Sequence, residues 1–344
     1  LHLTNLIDFQ LPLEFSVKIT LTDLVLTSFA IMQVHTNIES LPSFRNAVVT
    51  IGTFDGVHIG HQKILNQLKQ EAKLVDGETV VITFHPHPKK VVTSNADPVY
   101  LLNTPEEKIA LLEKQGIHHV VIIPFTEAFA SQTATEYIEH FLWQKFKPHT
   151  LIIGYDHKFG KNRSGDYHLL EKYAPELGFR LIEIPEHLLN EVTVSSTRIR
   201  QDLKAGKISE ANSLLGYTYS FEGKVIEGNK LGRTIGYPTA NLQILNAEKL
   251  IPGNGVYATT VVIEHSTIHA YQGMMNIGIR PTINGTNRVI EVNIFDFNED
   301  IYGQTLRVHV HQFLRHEQEF NGLDALKGQL AEDKKNAEAF LINN

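Results

Sequence analysis

Between residue 47 and about residue 185, short β-branched apolar runs alternate with stretches of helical periodicity, and this alternation constrains the fold more than any other feature of the chain. Neighbouring parallel strands need long crossover connections, which helices supply, so the pattern predicts an α/β parallel sheet covered by helices. Ala47 to Phe54, Thr79 to Phe84, His118 to Ile123, Thr150 to Ile153 and Phe179 to Ile184 are each short enough to be buried strands. A helix is predicted over Thr104 to Gln115, where Thr104 caps, Pro105 occupies the first turn, Glu107 completes a capping box and Gly116 terminates. Doubly wound sheets of this kind bind ligands beyond the carboxyl ends of their strands.

After residue 216 the pattern changes to strand-like runs broken by Gly, Pro and Asn, with no helix expected until about Gly322. A mostly antiparallel β-barrel is predicted. Within Thr305 to Phe313, Leu306, Val308 and Val310 alternate with Arg307, His309 and His311, giving one apolar and one polar face. Leu323, Leu326 and Leu330 predict a closing amphipathic helix. Because 344 residues exceed what one core usually organises, two domains are expected, 32–200 and 216–344, joined by a short helix over 201–215 that carries Leu203, Ile208, Ala211 and Leu215. Residues 1–31 begin at Leu1, hold no Met before Met32, and are read as a non-native or disordered extension. If the native start is Met32, mass spectrometry of natively expressed protein shows no peptide from 1–31.

Charge narrows the choice of partners. A formal net charge of -7 argues against binding a nucleic-acid backbone, which requires clustered Lys and Arg, but leaves small phosphorylated ligands open. Without cysteine there are no disulfides, thiolate nucleophiles or Cys-ligated zinc, and a reducing cytoplasm fits. No apolar run reaches the roughly 18 residues of a membrane span, so a soluble cytoplasmic protein with no membrane partner is expected.

The first predicted strand runs into Thr53-Phe54-Asp55-Gly56-Val57-His58-Ile59-Gly60-His61 and then into a helix carrying Ile64, Leu65, Leu68 and Ala72 on one side. Gly56 and Gly60 let backbone approach a bulky anion while the new helix aims free N–H groups at it, so phosphate is the natural guest. His58 and His61 add hydrogen-bond donors toward charge developing in a transition state. The competing readings are a metal-binding pair or two surface histidines.

A second glycine-rich turn spans Gly228-Asn229-Lys230-Leu231-Gly232-Arg233-Thr234-Ile235-Gly236 and ends in Pro238-Thr239-Ala240-Asn241. It differs from the P-loop pattern. Phosphoryl transfer needs positioning, charge neutralisation and a divalent metal, and Thr239 and Asn241 offer hard oxygen ligands. A turn merely stiffened by Pro238 is the plain alternative. Some fifty residues on, Glu291 interrupts the strand-like run Val289 to Phe295, either as an exposed strand residue or as a base.

The string from Gly52 through Gln62 resembles bacterial FAD synthetases, with the His-x-Gly-His signature of the nucleotidylyltransferase superfamily. Matches continue in order through Thr83-Phe84-His85-Pro86-His87-Pro88, Ile153 to Gly160 and Val194 to Arg200, while Pro238 to Asn241 resembles the riboflavin kinase signature. The resemblance covers about residues 32–341. It implies a Rossmann-like nucleotidylyltransferase domain before the barrel, and a bifunctional enzyme converting riboflavin to FMN and FMN to FAD with ATP and Mg2+. In the first half it implies ATP contacts from Gly52, Phe54, Gly56, His58, Gly60 and His61, closed by Ser196, Thr197 and Arg200. A plain helix cap by Ser195 or Ser196 is the competing reading there. Phe84, His87, Asp156 and Phe159 are implied to line the flavin site, with His85 and His157 as tolerated departures. In the second half it implies ATP contacts from Gly228, Lys230, Gly232, Arg233 and Gly236, Mg2+ at Thr239 and Asn241, and Glu291 as general base. Asn293 replaces the family's usual His. The rival expectations are an adenylyltransferase with a non-catalytic flavin-binding barrel, and a flavin-sensing module without chemistry.

Overall fold

Val48–Ile51 (β2) is buried along its whole length because strands pair with it on both sides. The computed structural model describes residues 32–92, 98–185, 194–264, 270–282 and 285–343; the extension expected at 1–31 lies outside them. Thr79–His85 (β3) and Thr150–Gly154 (β5) flank β2, with His119–Pro124 (β4) beyond β3 and Arg180–Ile184 (β6) beyond β5, all parallel. The chain thus steps outward from β2 through β3 to β4 and then returns to the other side of β2. That reversal opens a crevice at the carboxyl ends of β2 and β5.

Gln33–His35 (β1), unforeseen from the sequence, adds a sixth parallel strand at the β4 edge. At three residues, with only Val34 apolar, it carries too little pattern to register as a strand. Ile59–Leu74 (α1) buries Leu65, Leu68 and Ala72, the face its apolar spacing predicts. Pro105–Lys114 (α2) has both halves of the expected capping box: the Glu107 N–H donates to Thr104 Oγ1 (3.2 Å) and the Thr104 N–H to Glu107 Oε2 (2.9 Å).

The single helix expected over 201–215 is two helices, Ser196–Lys204 (α3) and Ile208–Leu215 (α4). They break at Gly206, whose φ of +75° lies in the left-handed region where glycine carries no side-chain penalty. Ile199, Leu203, Ile208, Ala211 and Leu215 from this pair join one buried cluster with Tyr219, Phe221, Val261 and Val308. The pair is therefore packed on the barrel core while it links the two halves, since Leu102 of the sheet half belongs to the same cluster.

Ser220–Ile226 (β7), Ala240–Ile244 (β8), Gly255–Ile263 (β9), Ala270–Thr282 (β10), Gly285–Ile294 (β11) and Thr305–Arg315 (β12) close into an antiparallel barrel ordered β10-β11-β8-β7-β12-β9. Leu306, Val308 and Val310 are fully buried, as the alternation requires. A short helical turn, Leu231–Thr234, interrupts the stretch expected to be helix-free; it belongs to the glycine-rich loop. Leu323–Ile342 (α5) closes the chain, but Leu323 is exposed and the buried positions are Asp333 and Ala337. Asp333 is matched there by Arg315, whose Nε and Nη2 both donate to its carboxylate. Among the described residues no helix is long and apolar enough to cross a membrane.

Candidate active sites

The loop between β2 and α1 lies at the crevice and is shaped by several constraints. Gly56 has φ +90°, and a Cβ there would sit 2.8 Å from Leu102 Cδ1, so both backbone and neighbour require glycine. Phe54, at φ +46°, turns its buried ring toward His61, with centroids 5.0 Å apart. His58 is the N-cap of α1: the His61 N–H donates to its Nδ1 (3.3 Å). An accepting Nδ1 leaves the proton of the neutral ring on Nε2, where it can be donated. The two imidazoles stack, with centroids 3.6 Å and planes 14° apart. Burial pushes His58 down to about 4, Asp55 opposing, and holds His61 well below the ordinary histidine range, with His58 and Lys108 adding to the effect. Both rings are neutral at pH 7, and the buried His61 Nδ1 has no protein partner.

Asp55, only 2 % exposed, organises the residues around that loop. Its Oδ1 accepts from the Leu102 N–H (2.9 Å) and the Asn103 N–H (3.2 Å), and its Oδ2 pairs with Arg200 Nη2. Arg200 Nε also donates to the Tyr100 carbonyl (2.8 Å), and Ser196 Oγ donates to the Asp55 carbonyl (2.9 Å). Ser195 is the residue that caps α3, accepting from the Arg198 N–H, which separates the capping role from Ser196. Thr197 stands exposed in the same first turn. Lys108 Nζ donates to the Thr53 carbonyl (2.8 Å) and to Thr83 Oγ1 (3.2 Å), which keeps one of its three donors available. Burial lowers Lys108 to about 8, with Asp55 opposing.

Lys108, Asp55, Asn103, Phe84 and His87 line one small cavity. Burial lowers His87 to about 4, again against Asp55. Phe84, near the end of β3, meets Phe125 edge-on at 5.4 Å and lies 5.8 Å from Phe129, both just beyond β4, forming an aromatic wall. Phe159 is 6 % exposed and stacks on Tyr137 at 4.8 Å, whereas Asp156 is exposed.

In the barrel, the antiparallel ladder sets Glu291 of β11 directly opposite Asn241 of β8. Arg280 Nη2 donates to Glu291 Oε2 (2.5 Å). The glycine-rich loop comes down onto the same place: a Cβ on Gly228 would overlap the Asn241 amide, and one on Gly232 would overlap the Tyr237 carbonyl and lie 3.6 Å from Thr239 Oγ1. Lys230, at φ +57°, begins the short helical turn that carries Arg233. Gly236 takes φ +86° at the loop's far end. Asn293 Nδ2 donates to the Pro238 carbonyl (2.7 Å), so this residue steadies the Pro-Thr-Ala-Asn turn.

Residues singled out from the sequence thus come together in part: Asp55 ties the loop of His58 and His61 to Ser196 and Arg200, and Glu291 stands opposite Asn241, against which Gly228 packs, with Gly232 of the same loop near Thr239. Phe159 instead packs on Tyr137 in the sheet core, and Asp156 is exposed. Asp55 and Lys108 went unnoticed because their partners lie far along the chain, and Asp55 carried a signal only as part of the quoted loop string. Phe125 and Phe129 read as ordinary apolar residues.

Comparison with known proteins gives these two places a common frame. The FAD synthetase family model matches residues 41–198 and the riboflavin kinase model residues 215–341. A bifunctional riboflavin kinase/FMN adenylyltransferase of Haemophilus influenzae is 38% identical, covering 86% of this chain and 94% of its own. The protein of that description from Escherichia coli K12 is 35% identical, covering 88% and 95%. The crystal structure of a macrolide-efflux protein from Streptococcus pneumoniae matches with a TM-score of 0.79 at 32% identity, covering 90% of this chain and 99% of that one. With both halves matched in order and nearly the full length of these relatives covered, the chain belongs to the bifunctional riboflavin kinase/FMN adenylyltransferase family.

Proposed function

We propose that the protein phosphorylates riboflavin to FMN in the barrel half and adenylylates FMN to FAD in the parallel-sheet half, each step using ATP. The observation that carries the reading is that one chain presents two separate glycine-bearing loops, one tied through Asp55 to Ser196 and Arg200 and the other packed against Asn241, which stands opposite Glu291. Adenylylation is assigned to residues 32–200 and phosphorylation to 216–344, with both reactions run in the cytoplasm, where ATP is supplied. A net charge of -7 supports small phosphorylated partners over nucleic acid.

In the sheet half, an FMN phosphate oxygen attacks the α-phosphorus of ATP, the α–β phosphoanhydride bond breaks and pyrophosphate leaves. No protein nucleophile is required. The His58 Nε2–H, the α1 N-terminus, the remaining Lys108 donor and the donors left on Arg200 stabilise charge spreading over the phosphates, with Gly52, Phe54, Gly56 and Gly60 shaping the approach. Ser196 and Thr197 close the site from α3. Phe84 with Phe125 and Phe129 suits the flavin ring, His87 and Asp156 suit its polar edge, and Phe159 supports that wall from behind.

In the barrel half, the riboflavin 5′-hydroxyl attacks the γ-phosphorus, its proton passes to Glu291 and ADP leaves. Arg280 holds the carboxylate in place and Asn241 stands opposite it. The hard oxygens of Thr239 and Asn241, beside a loop that a Cβ at Gly228 would push off Asn241, fit Mg2+; these two residues would hold it, and it would supply neutralisation of phosphate charge. Gly228, Lys230, Gly232, Arg233 and Gly236 surround the nucleotide phosphates. Glu291 standing opposite Asn241 favours this reading over a barrel that only binds flavin. Incubating the purified protein with riboflavin and Mg-ATP and separating the products by chromatography tests it: FMN followed by FAD is expected, and formation of neither overturns it.

A further inference from the structure

Lys249 is a buried cation that neither reaction uses. It lies between β8 and β9 of the barrel half, yet among the described residues its side-chain hydrogen bonds reach into the sheet half. Its Nζ donates to the Leu102 carbonyl (2.7 Å) and to Glu107 Oε2 (2.5 Å), and it sits 4.5 Å from the centroid of the Tyr219 ring. Only 2 % of its side chain is exposed, against 16 % for Glu107. The backbones run together at the same place: the Leu101 N–H donates to the Glu248 carbonyl (2.7 Å) and the Leu250 N–H to the Leu101 carbonyl (2.8 Å). Burying an ammonium carries a large desolvation cost unless charge and hydrogen bonds match it, and Glu107 with the Leu102 carbonyl supplies that match.

The anchored residues are the ones that hold the phosphate loop. Leu102 and Asn103 donate both of their N–H groups to Asp55, which pairs with Arg200 and follows Phe54 in the loop. A second tie from the barrel side reaches the loop itself, where Tyr217 Oη donates to the Gly56 carbonyl (2.7 Å). We propose that Lys249 and Tyr217 are positioning residues for adenylyl transfer: the barrel half fixes the segment 101–103 and the turn at Gly56, and through them the geometry of Asp55, Arg200 and the two histidines. The dependence runs one way, since none of these contacts touches Glu291, Asn241 or the Gly228 loop.

This inference rests on the two-reaction assignment and fails separately from it. Full-length Lys249→Met and Tyr217→Phe are assayed for both reactions, riboflavin to FMN and supplied FMN to FAD. Displacing catalytic groups by about an ångström costs up to a hundredfold, so FAD formation is expected to fall roughly tenfold to hundredfold, with a raised KM for ATP, while FMN formation stays within about twofold. Tyr217→Phe removes one hydroxyl and keeps the ring, which makes it the check should Lys249→Met fail to fold. The double variant Glu107→Gln/Lys249→Met removes both buried charges; it is expected to recover thermal stability relative to Lys249→Met without recovering FAD formation, because the Leu102 carbonyl still lacks its donor. Equal loss of both activities in the variants, or recovery of FAD formation along with stability in the double variant, overturns the inference while leaving the assignment standing. Wild-type protein making neither product overturns both.

Discussion

His87 illustrates how a single side chain links the site to stability. Its imidazole titrates near 6.5 in an unfolded chain but is held at about 4 in the fold by burial. Between those values the unfolded state binds more protons, so this contribution is complete above about 6.5 and is lost as pH falls toward 4. Urea unfolding should therefore show a smaller loss of stability from about pH 7 to about pH 5 in His87→Gln than in the wild type; an unchanged loss contradicts the assigned burial. Lys108 makes a different kind of test. Lys108→Met removes a cation whose two protein bonds leave a donor for phosphate, and adenylylation is expected to drop by about two orders of magnitude with phosphorylation intact. Steady-state assays of the two half-reactions decide it, and a proportional fall in both contradicts the role. His58, His61 and Glu291 were legible in the sequence because they sit in compact motifs. Lys108 was not, because a lysine on a capped helix looks solvated until the fold brings Thr53 beneath it.

Elements were legible where their determinants are local. The capping box of α2 is written in Thr104, Pro105 and Glu107, and the helix starts where they place it. Thr104→Ala should cost about 1 kcal/mol in chemical denaturation, the usual worth of such a cap; no change contradicts the capping geometry. Elements fixed by tertiary contact were harder to read. The three-residue β1 exists because β4 offers an open edge, and the break between α3 and α4 follows from Gly206 and from both helices packing on the barrel core. The glycine-rich loop lies between these cases: its glycines mark a tight turn of close backbone approach, but the reason for Gly228 appears only when Asn241 is found against it. Gly228→Ala should abolish most phosphorylation and spare adenylylation, measured as separate rates; normal phosphorylation contradicts the close approach.

At the scale of the molecule, the two halves are coupled in structure and separate in chemistry. Tyr217, Lys249 and the α3–α4 pair bind the barrel to the sheet, while the two sets of groups proposed to bind phosphate share no residue. The order of the halves and the texture of each were plain in the sequence; the buried ion pair joining them was not, since Glu107 and Lys249 are 142 residues apart. The most direct measurement is made on Glu291→Gln, supplied in parallel with riboflavin or with FMN, each with Mg-ATP, the flavins being separated by chromatography. Two independent sites predict that FMN no longer forms from riboflavin while FAD still forms from FMN at the wild-type rate. Loss of both reactions, or retention of both, contradicts the account.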